Sequence, residues 1–349
     1  MSGSSLDGVD IACCTFKRMQ EQWTFAIEHA DCIAYTNSFI AQLKSARTID
    51  SKMLCQLDTA LGRLYGEYVV DFIERHNITH IDAIASHGHT VFHFPGQGFT
   101  TQIGCGATIA AVVGLPVVAD LRSADVALGG QGTPIVPIGD KLLFPEYNYL
   151  LNIGGIANIT VKQGDKVLAF DICAANQILN YYAEQRGKLY DEDGKCATTG
   201  ALHTALLNAL NGIAYYKKPA PKSLDNGFSK EVVLPIIEQF DISMEDKLYT
   251  YCHHIAEQIK NHIADINPAT NPNDELLITG GGAFHKHLVK TIGEVCPITP
   301  YLPTAEIIQY KEALVIALMG VLRMRNEINV LSSVTGAKRD NIGGAIYVP

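Results

Sequence analysis

Two carboxylates in this chain occupy positions from which an acid can act on a bound molecule. Asp171 ends the apolar run VLAFDI, and Glu312 opens the last helical stretch, Glu312 to Met324. A carboxylate at the carboxyl end of a strand stands where ligand sites form in α/β proteins, and it can serve as a general base. The same positions suit a helix N-cap and a helix dipole, so these two residues alone leave both readings open. Three glycine turns accompany them: SGSSLDG from Ser2 to Gly8, NIGGIAN from Asn152 to Asn158, and TGGGAF from Thr279 to Phe284. Glycine lets the backbone approach a ligand closely, and successive N–H groups in such turns form nests for anions. A strand running through TGGG into a helix also aims a helix N-terminus at a phosphate. The three turns together point to a nucleotide site. No GxxxxGK(S/T) stretch is present, which excludes a P-loop.

Two further segments carry polar chemistry. SHGHTVFH contributes His87, His89 and His93, which read better as a polar lining for a sugar or phosphate than as a metal site. VVADLRSADVALGGQGTP holds Arg122, Asp125, Gly130, Gln131 and Gly132. Arg122 suits bidentate capture of a carboxylate or phosphate, and a surface ion pair with Asp125 is the competing use. The adjacent His253 and His254 fall inside a helical stretch and are expected at its surface.

The elements that must position these groups alternate between strand and helix. GVDIACCTF and Trp23 to Ala34 read as strands, and Leu57 to Ile73 has the helical period of apolar residues. IDAIASHG, LPVVAD, YLLNIGGIANITV, KVLAFDI and ELLITGGG read as strands, the third and fourth joined as a hairpin at QGDK. Ala175 to Arg186, Ser243 to Ile266 and Phe284 onward read as helices, with Ser243 and Asp246 as a capping box. This is an α/β pattern with mixed sheets. The boundary between two similar domains is expected at GGQGTPIVP, giving domains 1–135 and 136–349, with the last segment packing back on the first.

Composition narrows the class. Of 349 residues, 47% are hydrophobic and 18% charged, enough for a substantial core and too little charge for a disordered chain. A net charge of −9 argues against broad nucleic-acid binding. Nine scattered cysteines without a CxxC pair fit reduced thiols, hence a cytoplasmic protein. No apolar run reaches the roughly 18 residues that cross a bilayer, and no signal-peptide pattern is visible.

Taken in order, MSGSSLDGVD, SHGHTV, VVADLRSADVALGGQGTPIVP, LNIGGIANIT, YDEDG, LLITGGGAFH, KEALVIALMG and SVTGA resemble the sequence blocks of the anhydro-N-acetylmuramic acid kinase family. The resemblance spans nearly the whole chain. It implies an actin-like ATPase fold of two related ribonuclease-H-like domains around a central nucleotide cleft. It also implies ATP and Mg2+ as cofactors, a small anhydrosugar as substrate, and a homodimer. The implied reaction opens the 1,6-anhydro ring of 1,6-anhydro-N-acetylmuramic acid with water while O6 takes the γ-phosphoryl group of ATP, a step in cell-wall recycling.

The same resemblance assigns roles residue by residue. Gly3, Ser4, Ser5, Leu6, Asp7, Gly8, Val9 and Asp10 would form the ATP-phosphate loop, with Asp7 reaching the metal through water. Gly154, Gly155, Gly280, Gly281 and Gly282 would flank phosphates and adenosine. Asp171 would activate water, and Glu312 would assist it. His87, Arg122, Gly130, Gln131, Gly132 and Asn176 would bind the sugar, Arg122 through its lactyl carboxylate.

The chain departs from the family pattern in four places. DTGPGN is DICAAN here, SHGQT has His89 for glutamine, and PPKSTGRE reads APKSLDNG. Relatives are also expected to carry seven to ten residues before MSG that form a first strand inside the sheet, so a truncated or late-started chain is expected here. The changed segments leave open a kinase for another 1,6-anhydro sugar such as levoglucosan, or a non-catalytic ATP-binding protein of the same fold.

Overall fold

The structure, a computed structural model, describes residues 1–3, 6, 8–164, 166–225, 227–267, 271 and 273–349. Three residues of the expected phosphate loop, Ser4, Ser5 and Asp7, lie outside the described residues. The chain divides into two compact units, Met1–Phe144 with Tyr310–Pro349, and Pro145–Gln309. Each is a mixed α/β assembly, as the alternating pattern predicts.

The first unit begins with a long antiparallel ribbon of β1 (Gly8–Met19) and β2 (Gln22–Ala34), turned at Gln20 with φ 57°. Helix α1 (Asn37–Ser45) starts at Thr36, whose hydroxyl accepts the Phe39 N–H. Helix α2 (Ser51–Arg75) starts earlier than its apolar period suggests because the Asp50 carboxylate caps it through the Met53 N–H. There follow β3 (Ile84–Ala85), β4 (His89–Phe94), β5 (Phe99–Ile103), α3 (Gly106–Val113), β6 (Val117–Ala119), α4 (Ser123–Ala127) and α5 (Pro137–Leu143). The core holds Val9, Leu43, Leu61, Tyr65, Ile103, Ile109 and Val117. A cavity of about 600 Å³ lies among β1, α2 and β3, lined by Ile11, Phe72, Ile84 and Ile316.

The second unit is built on β7 (Tyr149–Ile153), β8 (Ile156–Gln163) and β9 (Lys166–Ala174), an antiparallel meander. What reads in the sequence as one strand, YLLNIGGIANITV, folds as two, because Gly154 and Gly155 reverse the chain. Helices α6 (Asn176–Glu184), α7 (Thr204–Asn211), α8 (Leu234–Ile237) and α9 (Met244–Ile266) come next, then β10 (Glu275–Thr279), α10 (Lys286–Val295) and β11 (Thr299–Tyr301). The sheet order is β11-β10-β7-β8-β9, with β10 parallel to both neighbours. Tyr251, Ile255 and Ile259 of α9 pack in one core with Ile159, Ile172 and Ile278. Ser243 caps α9 by accepting the Asp246 N–H at 3.1 Å, while the Asp246 carboxylate takes the Ala201 N–H at 2.7 Å.

His254 corrects an expectation. It is fully buried on α9, its Nδ1 2.7 Å from Asn211 Oδ1 and its Nε2 3.1 Å from the Tyr216 hydroxyl. A histidine on the inner face of a helix is tolerated because both ring nitrogens find partners.

The chain closes with α11 (Ala305–Met324), α12 (Ser332–Thr335) and β12 (Ala345–Tyr347), the last antiparallel to β6. In the first unit two guanidinium groups lie over the buried Trp23 ring, Arg18 at 5.6 Å and Arg325 at 5.8 Å from its centroid.

Candidate functional site

In the first unit, the start of the chain is held by a relay of hydroxyls. The Tyr35 hydroxyl donates to Ser2 Oγ at 2.7 Å and lies 3.0 Å from the Tyr65 hydroxyl, and Ser2 Oγ lies 3.5 Å from His89 Nδ1. His89 thus lies beside Ser2 at the start of the chain. The Met1 ammonium donates to the Asp10 carbonyl at 2.7 Å, and the Asp10 N–H donates to the Met1 carbonyl at 2.9 Å. Gly8 permits the ribbon to close, since a side chain there would strike the Ile33 carbonyl. Leu6 takes φ 59°, and Gly3, Val9 and Asp10 flank it.

His87 and Arg122 form a polar pair in this unit. His87 is buried, and burial with the nearby Arg122 charge pushes its pKa down to about 3, so the ring is neutral. Its Nδ1 lies 3.0 Å from the Gly88 carbonyl, and its Nε2 has no hydrogen-bond partner among the described residues. Burial lowers the Arg122 pKa to about 10, opposed by the Glu312 charge, so the guanidinium remains charged at neutral pH. Arg122 Nε is also buried without a partner among the described residues. Two neighbouring buried groups without partners leave hydrogen-bonding capacity that a polar ligand could use.

Glu312 is not at a helix start. Helix α11 begins at Ala305, which puts Glu312 in its interior and removes the helix-dipole explanation. Its side chain reaches solvent, yet the protein around it raises its pKa by desolvation, opposed by the Met1 ammonium and Arg122 and reinforced by Asp10. A carboxylate poised above its ordinary range can pass protons nearer neutrality.

The GGQGTP segment is shaped by Asp125, which makes no surface ion pair. Its buried carboxylate accepts the Gly132 N–H at 2.8 Å, the Thr335 hydroxyl at 2.8 Å and the Asn341 amide at 2.9 Å. Gly130 packs so tightly on that carboxylate that no side chain fits there. The Gln131 N–H donates to the Thr335 carbonyl at 2.8 Å, leaving the Gln131 side chain exposed.

In the second unit, Asp171 is not at the end of its strand as the sequence suggests: β9 continues to Ala174, and Asp171 sits within it just before a bulge. Asn158 faces Asp171 and Ala157 faces Cys173, so Ile172 is the extra residue. Bulges beside active sites re-aim the neighbouring side chain. The Leu224 N–H donates to Asp171 Oδ2 at 2.9 Å. Among the described residues this is the one hydrogen bond to the carboxylate. Burial raises the Asp171 pKa, and the Leu224 N–H partly offsets it.

The two glycine turns of this unit converge. The Ala175 and Gln177 N–H groups donate to the Gly155 carbonyl at 2.8 and 3.2 Å, and the Asn176 N–H to the Gly154 carbonyl at 3.1 Å. Asn176 Nδ2 donates to the Ile153 carbonyl at 3.2 Å and would be the nearest atom, 3.7 Å away, to a side chain at Gly281. Gly280 has φ 81°, and a Cβ there would lie 2.6 Å from Asn152 Oδ1. Gly282 abuts Ile153, with no space for a side chain. The Gly281 and Gly282 N–H groups open a short 3-10 turn, Gly281–Phe284, and no backbone carbonyl among the described residues accepts from them. That pair of free N–H groups beside an open Gly281 fits a phosphate. Among the described residues, no three His, Cys, Asp or Glu side chains gather as a metal site. No helix among them is long and apolar enough to cross a membrane.

A family model described as anhydro-N-acetylmuramic acid kinase matches residues 1–349. Proteins called anhydro-N-acetylmuramic acid kinase from Saccharophagus degradans and Hydrogenovibrio crunogenus are 34% and 32% identical to this chain. Each alignment covers 100% of this chain, with 98% of the first relative and 97% of the second. The relative of that name from Vibrio cholerae is 32% identical, with 100% and 97% covered. Among solved structures, a ligand-bound xylulose kinase from Lactobacillus acidophilus aligns with 13% identity and a TM-score of 0.35, over 62% of this chain and 45% of that one. At that level the likeness carries no argument.

Proposed function

The chain belongs to the anhydro-N-acetylmuramic acid kinase family, and from that premise we propose how its residues divide the work of an ATP-dependent anhydrosugar kinase. The reaction opens the 1,6-anhydro bond of 1,6-anhydro-N-acetylmuramic acid and phosphorylates O6, giving N-acetylmuramic acid 6-phosphate and ADP. It places the protein in peptidoglycan recycling.

Asp171 takes a proton from the water that attacks the anomeric carbon. The C1–O6 bond breaks, and O6 takes the γ-phosphoryl group. One observation supports this above others: a desolvated carboxylate with Oδ2 held by the Leu224 N–H and no second hydrogen bond among the described residues. Such a group is oriented but still free to accept a proton. Glu312 assists as a second carboxylate of raised pKa. Arg122 receives the lactyl carboxylate, and the neutral His87, whose Nδ1–H faces the Gly88 carbonyl, accepts at Nε2 from a sugar hydroxyl. Gly130, Gln131, Gly132 and Asn176 complete the sugar contacts. Gly154, Gly155, Gly280, Gly281 and Gly282 hold the nucleotide, together with the loop from Gly3 to Asp10. Mg2+ bound with ATP would neutralise charge on its phosphates.

The test is ATP consumption with 1,6-anhydro-N-acetylmuramic acid. Asp171→Asn should remove turnover and leave ATP binding intact. Arg122→Ala should raise KM for this sugar and leave levoglucosan unaffected, because levoglucosan has no carboxylate. Full activity of Asp171→Asn would refute the base, and equal effects on both sugars would refute the role of Arg122.

A further inference from the structure

Asp171 is held by more than its own carboxylate contact. Its strand, β9, is an edge of the sheet, so its outward backbone groups need partners from outside the sheet. The segment Tyr215–Leu224 supplies them. The Asp171 N–H donates to the Lys222 carbonyl at 3.0 Å, and the Tyr215 hydroxyl donates to the Asp171 carbonyl at 2.7 Å. The segment is itself tied shut. Lys222 Nζ donates to the Tyr215 and Tyr216 carbonyls, each at 3.2 Å, and lies 4.6 Å from the centroid of the Tyr215 ring. Every polar group of Asp171 that these contacts fix lies at the bulge created by Ile172.

We propose that Tyr215 and Lys222 are positioning residues for the Asp171 base, a clamp that fixes the bulged backbone and keeps water off one side of the carboxylate. This rests on the assignment of Asp171 as the base. Neither residue touches the reacting atoms. Tyr215 sets the Asp171 peptide, and Lys222 holds Tyr215 and the loop that carries the Leu224 N–H.

The surrounding charges agree with that division. The titratable groups facing Asp171 are Cys173 on its own strand and Tyr215 from the clamp; Lys222 and Lys218 both lie over the Tyr215 ring, at 4.6 and 5.8 Å, and Asp265 acts on Lys222. Burial raises both the Cys173 thiol and the Tyr215 phenol, so both stay protonated and Tyr215 remains a donor. Burial lowers Lys222, opposed by Asp265 and Cys173 and reinforced by the Lys218 charge.

The experiment compares Tyr215→Phe, Lys222→Met and Asp171→Asn in the full chain, with kcat, KM for ATP and sugar, thermal midpoint and the pH profile of kcat/KM. Loss of one hydrogen bond that fixes the base is expected to lower kcat by about tenfold, with both KM values held within about twofold. The acid limb should move to lower pH in Tyr215→Phe, because water admitted to Asp171 relieves the desolvation that raises its pKa. A merely structural tyrosine would lower the thermal midpoint and leave the acid limb in place. If Tyr215→Phe does not fold, Lys222→Met reads the same limb and the same kcat. Wild-type kcat and limb in the clamp variants, with Asp171→Asn inactive, overturn the clamp and leave the base standing. An active Asp171→Asn overturns the base reading, and the clamp with it.

Discussion

The Thr335 hydroxyl donates to Asp125 Oδ1 at 2.8 Å, across 210 residues of sequence. Asn341 donates to the same oxygen, and the Gly132 N–H to the other. One buried carboxylate thus ties the GGQGTP segment to α12 and the loop that follows it.

Removing that carboxylate leaves three buried donors unmet. Asp125→Ala is expected to destabilise by about 3–5 kcal/mol, and Thr335→Val by about 1–2 kcal/mol. Chemical denaturation of both variants checks the order. Equal, small losses would show that the carboxylate is not the knot described.

The glycines after β10 separate fold from ligand binding. Gly280→Ala forces a side chain into φ 81° and against Asn152, so it should lower stability by more than about 1 kcal/mol. Gly281→Ala meets nothing nearer than Asn176 Nδ2 at 3.7 Å, so its thermal midpoint should stay near wild type. KM for ATP should rise in Gly281→Ala if that turn holds phosphate. An unchanged KM would move the phosphate elsewhere.

Acid should weaken the fold through its buried histidines. Burial takes His254 from an ordinary 6.5 to about 3, and His87 to about the same. The unfolded chain therefore binds their protons first as pH falls below 6.5, while the folded chain stays neutral. The stabilisation is whole above 6.5 and is lost progressively toward pH 3, by about 1.4 kcal/mol per pH unit per histidine once below 6.5. Denaturation from pH 7 to 4 should show this slope, shallower in His254→Gln. A parallel slope in the variant would count against it.

Lys311 and Asp140 make an ion pair at 2.8 Å with both side chains almost wholly buried. Breaking one side strands a charge, so Lys311→Met or Asp140→Asn should each cost about 3–5 kcal/mol. The double variant should recover part of that loss. Additive losses in the double-mutant cycle would show that the two charges are not coupled.

The two residues argued first from the sequence show how far it could be read. Asp171 stands out in the sequence as an acid closing an apolar run, but β9 runs on to Ala174, and the bulge and the Leu224 N–H at Asp171 are encoded by no local pattern. Glu312 was found but misplaced along its helix, because the seven residues before it, Ala305–Lys311, alternate apolar and polar types too loosely to mark the start. Helices α2 and α9 were visible in their apolar period, and only their caps set the ends. The NIGGIAN strand was read as continuous because its apolar residues do not pause at Gly154 and Gly155. The sequence offers Asp125 only as a surface ion-pair partner of Arg122 and does not mark Tyr215 at all, for one reason. Their partners, Thr335 and Asp171, are brought to them by the fold, over 210 and 44 residues.

Trp23 is the sole tryptophan of the chain, and it is buried beneath Arg18 and Arg325 within the first unit. Intrinsic fluorescence excited at the indole band is therefore a private reporter of that unit. Circular dichroism averages over both. A chain that melts as one cooperative body gives superimposable curves by the two probes, and one whose units melt in turn splits them. The protein carries its own label for telling these apart, with no dye attached.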